Sequence, residues 1–168
     1  MFKNIKNNKG FTLIELLAVI VILGILMIVA IPQVTKYIEQ SKKDTFVDTA
    51  KAYINAARYA YLNDELTCTV GDSAIIPIYS LDVDNSGKSP FGGTLSGYIK
   101  ITATSVPAGT SGEQKFTYTY TAYIQDSNKR WTIKGIDEPD LKRASVTKET
   151  GNLYGSYGKG STTAVVCQ

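Results

Sequence analysis

Histidine is absent from the 168-residue sequence. Without it, neither Ser-His-Asp nor Cys-His nucleophilic machinery can be assembled. Cysteine is scarce: Cys68 and Cys167 stand far apart, without the C-x-x-C spacing of a zinc or redox site. A phosphate loop is also missing. Gly87-Lys88-Ser89 has Asp82 where the motif needs its first Gly, and Pro90 follows where a helix should begin. No pair of acids is set apart by its sequence surroundings. These absences leave no catalytic residue to name, and the chain is read as a non-enzyme with no cofactor.

The most telling absence is of charge. From Phe11 to Ile31 the chain is apolar apart from Thr12 and one ionisable side chain, Glu15. As a helix, this stretch is roughly 30 Å long, enough to cross a bilayer core. A carboxylate at that depth costs roughly 2.5–3.5 kcal/mol on insertion scales, so it calls for a partner. Ahead of the stretch, Met1–Gly10 holds Lys3, Lys6 and Lys9 and no acid, which accounts for the whole net charge of +3. That basicity reads as an orientation signal keeping this end cytoplasmic, and nucleic acid is not a required partner. A secretory signal would place its small-residue cleavage site beyond the apolar core. Here the small residue, Gly10, lies before it, so a cut there leaves the anchor on the product.

Lys9-Gly10-Phe11-Thr12-Leu13-Ile14-Glu15, the aliphatic run through Gly24 and the closing Ile31-Pro32 resemble the prepilin signature of type IV pilins and of the related secretion pseudopilins. The resemblance covers about the first quarter of the chain. It implies cleavage between Gly10 and Phe11 by a prepilin peptidase, which is also the methyltransferase that methylates the new Phe11 amine. It implies, too, that Glu15, assisted by Thr12, pairs with the N-terminal amine of a neighbouring copy during assembly. The implied partners are copies of the chain itself in a helical filament, the processing enzyme, the pilus assembly machinery and, before assembly, the membrane. The implied location is the cytoplasmic membrane, single-pass with a cytoplasmic N-terminus, and then a cell-surface pilus serving adhesion, motility or biofilm formation. The presence of Glu15 and the lack of an appended domain favour a major pilin, and the Lys/Asn/Ile-rich composition favours a Gram-positive, clostridial-like source. The alternatives are a minor pilin or pseudopilin of a secretion or DNA-uptake machine, and a membrane-anchored extracellular binding protein that never polymerises.

The expected fold is α+β, the type IV pilin fold. After Pro32, apolar residues recur at three- and four-residue spacing (Val34, Tyr37/Ile38, Val47, Ala50, Tyr53/Ile54, Ala57, Ala60/Tyr61), with charged residues between them. Gly and further Pro are absent until Gly71. One helix from Phe11 to near Leu62 follows, with a bend or local melting at Gly24 and Pro32. Period-two alternation marks strands at Tyr98–Thr104, Phe116–Ile124 and Arg130–Ile136, and a shorter one at Ile75–Leu81. The expected sheet is therefore antiparallel, with about three to four strands. The divisions are a leader over 1–10, a membrane or filament-core helix half over 11–32, an amphipathic half over 33–62, and a head over 63–168. Within the head, 63–94 is a connecting loop, 95–136 the sheet and 137–168 a C-terminal region packed over a sheet edge.

Three features stay open in the sequence. Asp82, Asp84 and Ser86, followed by Gly87, match the first half of a calcium loop, but its twelfth position is Gly93 where a bidentate Glu belongs, so a polar turn is the better reading. Cys68 and Cys167 either remain thiols or form a bridge stabilising the head by about 4–5 kcal/mol in the chain-entropy model. Many Gram-negative pilins close a shorter C-terminal loop, and this spacing departs from theirs. Among eleven tyrosines, Tyr118 and Tyr120 are expected in the core and met by Tyr53 or Tyr61. Tyr154 and Tyr157 are expected to be exposed, as contact residues or loop filler.

Overall fold

A computed structural model describes residues 10–63, 73–84, 87–106, 115–128, 131–158 and 166–167. The chain divides into two compact units, one ending at Glu39 and the other running from Gln40 to Gln168. Helix α1, Leu13–Leu62, contributes to both.

In the first unit α1 is apolar all round from Leu16 to Ile31, and its large apolar side chains are exposed from Leu13 (82% accessible) to Ile38. The helix is long and apolar enough to cross a membrane. It runs without interruption through Gly24 and Pro32, so the local melting expected there is not a property of the single subunit. Pro32 removes one backbone donor. Just beyond it, the Thr35 hydroxyl donates to the carbonyls of Ile31 (3.2 Å) and Pro32 (3.0 Å).

In the second unit one stripe of α1 is buried: Phe46, Val47, Ala50, Tyr53, Ile54 and Ala57, which recur at helical spacing. The stripe is shorter than the sequence pattern suggested, because Val34, Tyr37 and Ile38 belong to the first unit and are exposed. It shares one core with the inward-facing residues of a sheet, among them Ile76, Ile99, Ile101, Tyr120, Ala122, Ile124 and Ile133. The strands are β1 Ser73–Pro77, β2 Leu95–Val106, β3 Lys115–Asp126, β4 Trp131–Asp137, β5 Thr147–Lys148 and β6 Val166–Cys167. Their order is β5-β4-β3-β2-β1-β6, with every neighbouring pair antiparallel.

The meander β2-β3-β4 is the one read from the sequence. The sheet is nonetheless six-stranded, because the C-terminal region supplies a two-residue strand at each edge, too short to show a period of its own. Strand β1 stops at Pro77, where the chain turns into a 3-10 turn over Ile78–Ser80, instead of continuing to Leu81. Two glycines are required by the pairing. A Cβ on Gly97 (φ +145°) would fall 2.0 Å from the Tyr123 carbonyl oxygen. Gly135 (φ +67°) is the extra residue of a bulge, since Ala122 pairs with Ile136 and Tyr123 with Lys134.

The C-terminal region is held by a buried amide and a cluster of rings. Gln125, 1% accessible, donates through Nε2 to Thr132 Oγ1 (3.0 Å) and the Gly151 carbonyl (3.1 Å), and its Oε1 accepts from the Leu153 N–H (2.8 Å). Every polar atom of a buried side chain that is paired in this way adds specificity to the contact. Tyr98 stacks on Tyr123 at 4.6 Å between ring centres and packs against Tyr157 at 4.7 Å and Tyr154 at 5.8 Å. Tyr154 is therefore buried and Tyr157 half-buried, contrary to the exposed role expected of them. The Gly-rich loop carries them onto a sheet face, where two other tyrosines were already paired across β2 and β3. Tyr120 is in the core as expected, whereas Tyr118, expected there too, is exposed at the sheet surface and meets Tyr61 edge-on at 5.4 Å.

Burial, reinforced by Tyr98, Tyr123 and Glu149, pushes the Tyr154 hydroxyl up to about 12, and burial likewise raises Tyr61 and Tyr98. A folded-state pKa above the unfolded value of roughly 10 leaves stability intact below that pH and removes it as pH climbs through the folded value. Phenolate absorbance during alkaline titration should show a late phase near pH 12 that coincides with loss of tertiary structure and disappears in Tyr154→Phe. Complete ionisation by about pH 11 in a still-folded head would contradict this assignment.

Candidate functional site at the start of the apolar helix

Helix α1 begins at Leu13, two residues later than the apolar run, because Thr12 serves as its N-cap. The first helical bond runs from Leu16 N–H to the Thr12 carbonyl (3.2 Å). Thr12 Oγ1 accepts from Glu15 N–H (3.3 Å), while Glu15 Oε2 accepts from Thr12 N–H (2.8 Å) and from the Thr12 hydroxyl (2.8 Å). This reciprocal arrangement is a capping box, T-x-x-E, which satisfies two amide donors that a helix start otherwise leaves unpaired. The carboxylate also lies in the first turn, where the helix dipole favours negative charge. Thr12-Leu13-Ile14-Glu15 spells the motif in the sequence, yet reading Glu15 only as a charge in an apolar run passes over it.

Both bonds fall on Oε2. Among the described residues, Oε1 accepts none, so the carboxylate keeps capacity for a further donor. Phe11 is 91% accessible and Gly10 is exposed. A Cβ built on Gly10 would meet nothing within 4 Å, and the same holds for Gly24. The subunit's own packing therefore requires Gly at neither position.

The remaining sequence candidates do not join this site. Asp82 and Asp84 are exposed, and Ser86 lies outside the described residues. Among the described residues, no group of three or more carboxylates or thiols comes together. The glycine that suggested a calcium loop, Gly87, has φ +76° and donates its N–H to the Tyr53 hydroxyl (2.8 Å), which ties a polar turn to α1. Cys68 lies outside the described residues, while the Cys167 backbone pairs opposite Ala74 in β1.

The fold and the capped apolar helix define a class, that of α+β proteins with one long, apolar N-terminal helix on an antiparallel sheet. Residues 5–31 match the prokaryotic N-terminal methylation motif. Two fimbrial proteins of Pseudomonas aeruginosa are each 44% identical over 57 residues, covering 34% of this chain and 37% of theirs. The ComG operon protein 3 homolog of Bacillus licheniformis is 40% identical over 53 residues, covering 30% of this chain and 55% of its own. The match thus spans between about a third and about half of those relatives' length. No solved structure matches the chain. The N-terminal segment is similar to that of type IV pilins, and the helix-on-sheet fold is consistent with the type IV pilin fold.

If the capping box fixes the helix start, Thr12→Val should loosen it by about 1 kcal/mol, or roughly fivefold faster amide exchange in the first turn. Hydrogen exchange of the detergent-solubilised chain reads this directly. Unchanged protection at Ile14 and Glu15 would show that the hydroxyl is not the cap.

Proposed function

We propose that the chain is a structural subunit of a type IV pilus, a major pilin cut between Gly10 and Phe11, methylated on the Phe11 amine and polymerised through its apolar helix. The observation that carries this reading is the helix surface: large apolar side chains from Phe11 to Ile38 are exposed on all sides, and within Phe11–Ile31 the one charge is Glu15. Such a surface is stable only where lipid or other helices cover it. Lipid covers it before assembly, with the N-terminus cytoplasmic. Neighbouring copies cover it afterwards, in a head-to-tail helical array that does not close.

Glu15 makes the second state specific. Cleavage after Gly10 creates an ammonium group at Phe11, and the unused acceptor capacity of the Glu15 carboxylate suits an incoming cation. An uncompensated buried charge is costly and a paired one much less so, so the subunit register that forms this pair is favoured. Gly10 and Gly24 support the same reading. Gly24, inside the helix, costs roughly 0.5–1 kcal/mol relative to Ala, and with open space around both residues the benefit of Gly lies outside the single subunit. For Gly10 that is the peptidase; for Gly24 and Pro32 it is a bend taken up within the filament. Similarity to the ComG operon protein 3 homolog favours a second reading, a minor pilin or pseudopilin that shares this N-terminal mechanism but forms short fibres.

Terminal sequencing of the mature protein should begin at methylated Phe11, and electron microscopy of sheared surface material should show filaments containing it. Glu15→Val should leave membrane insertion unchanged or improved while filament incorporation falls at least tenfold. Normal filaments from Glu15→Val would remove the pairing mechanism, and an intact Met1 together with no filament would remove the pilin reading.

The head is closed, on this reading, by a Cys68–Cys167 disulfide, which the oxidising exterior permits. Support comes from β6, which brings the Cys167 backbone to Ala74, six residues along the chain from Cys68. Non-reducing peptide mapping should recover the cross-linked pair, and Cys68→Ser should lower head stability by about 4 kcal/mol. Two alkylatable thiols in the secreted subunit would refute the bridge.

A further inference from the structure

Ile31 closes the apolar run of α1, but charge does not return until Lys36. Between Glu15 and Lys36 lie twenty uncharged residues, 16–35, a helical length of about 30 Å that equals the hydrocarbon thickness of a bilayer. Past Ile31 this window holds two polar side chains, Gln33 and Thr35. The Thr35 hydroxyl is satisfied within the helix by the carbonyls of Ile31 and Pro32, as a hydroxyl facing lipid must be. At the outer end of the window Lys36 and Tyr37 are adjacent, Lys36 exposed and Tyr37 73% accessible. One offers an ammonium group to a phosphate, the other an amphipathic ring of the kind that settles at headgroup level. At the inner end the Glu15 carboxylate reaches back by nearly one turn, to the Thr12 N–H and hydroxyl. It therefore lies about 36 Å along the axis from Lys36, beyond a hydrocarbon core of roughly 30 Å.

We propose that Lys36 and Tyr37 anchor α1 in the outer phospholipid headgroups before assembly, so that residues 16–35 span the hydrocarbon and the Glu15 carboxylate rests in the cytoplasmic headgroup layer. The inference rests on the membrane stage of the reading above and fixes the depth of its assembly site. The competing register embeds the apolar run 11–31 and puts the outer boundary at Ile31. The carboxylate would then lie about 28 Å from that boundary, inside the core, while the Tyr37 ring would stand in water. Glu39, a turn further out, is in water in either register. In the anchored register the carboxylate is hydrated in the resting subunit and meets hydrocarbon only as the subunit is drawn outward. Outward travel is opposed until the amine of a neighbouring copy answers the charge, so the bilayer itself favours the departure of paired subunits.

The test uses the full-length, uncut chain, labelled with 15N, in nanodiscs of phosphatidylcholine and phosphatidylglycerol. It reads amide broadening by a gadolinium chelate in the water and, in a second sample, by a doxyl group on the lipid chains. Gadolinium should broaden the amides of Ile14 and Glu15 and again those of Lys36 and Tyr37, leaving residues 17–34 sharp, and the doxyl lipid should give the inverse profile. Sharp Ile14 and Glu15 amides together with broadened Gln33 and Thr35 would overturn the proposal in favour of the 11–31 register. In Lys36→Leu/Tyr37→Leu the shielded window should move about three residues toward the C-terminus, to Ile38, and Lys36→Arg/Tyr37→Trp should keep the original window. An unmoved window in the leucine variant would show that these two residues are not the anchor. Shielding of Tyr37 that grows with the number of chains per disc would assign this turn to a second copy of the chain and overturn the proposal as well. These three contrary results leave the pilin reading intact, whereas failure of the chain to enter the bilayer would remove both.

Discussion

Everything about the N-terminal unit depends on an apolar helix surface that the subunit does not cover. The second unit closes around its own stripe of α1, burying Phe46, Ala50, Tyr53, Ile54 and Ala57 in one core with the sheet. Among the described residues, the first unit buries none of its large side chains. At about 25 cal/mol per Å² of apolar surface removed from water, a helix of this length holds a large unspent driving force for association. Lipid satisfies it without specificity. Only a partner that also answers Glu15 satisfies it in one register.

The capping box changes how that carboxylate is understood. A bare Glu in the bilayer would be a pure penalty, but here its Oε2 is occupied by the amide and hydroxyl of Thr12. The same contacts start the helix and hold the carboxylate at its end. In the proposed assembly, helix start and subunit pairing draw on the same two side chains. The head is built with different means: the Gln125 amide, stacked tyrosines and ion pairs from Arg58 to Glu138 and from Arg143 to Asp44 secure the C-terminal region against the sheet and helix.

Much of this is legible in the sequence, for identifiable reasons. Long elements with strong periodicity, α1 and the β2-β3-β4 meander, announce themselves because many residues repeat one pattern. The two-residue edge strands cannot, since they owe their conformation to the neighbours they pair with. Tyr154 and Tyr157 look like exposed loop residues because nothing nearby in sequence shows that Tyr98 and Tyr123 lie stacked to receive them. Gln125 lies within a clean strand pattern, and its role becomes visible only when Gly151 and Leu153 come to it from a distant segment. At the helix start, Thr12 and Glu15 stand three residues apart in the chain, so their proximity is written in the sequence. The capping geometry was legible too, through the four-residue motif that frames the helix start.

The central claim is that the Phe11 amine of one subunit meets the Glu15 carboxylate of another. Solid-state NMR of filaments assembled from two batches, one labelled with 15N and the other with 13C, isolates contacts between subunits. A correlation between the 15N of the Phe11 amine and the 13C of the Glu15 carboxylate in these mixed filaments is the predicted result. Its absence there, with the same correlation present in filaments of doubly labelled subunits, would show that the pair forms within one chain and would contradict the account.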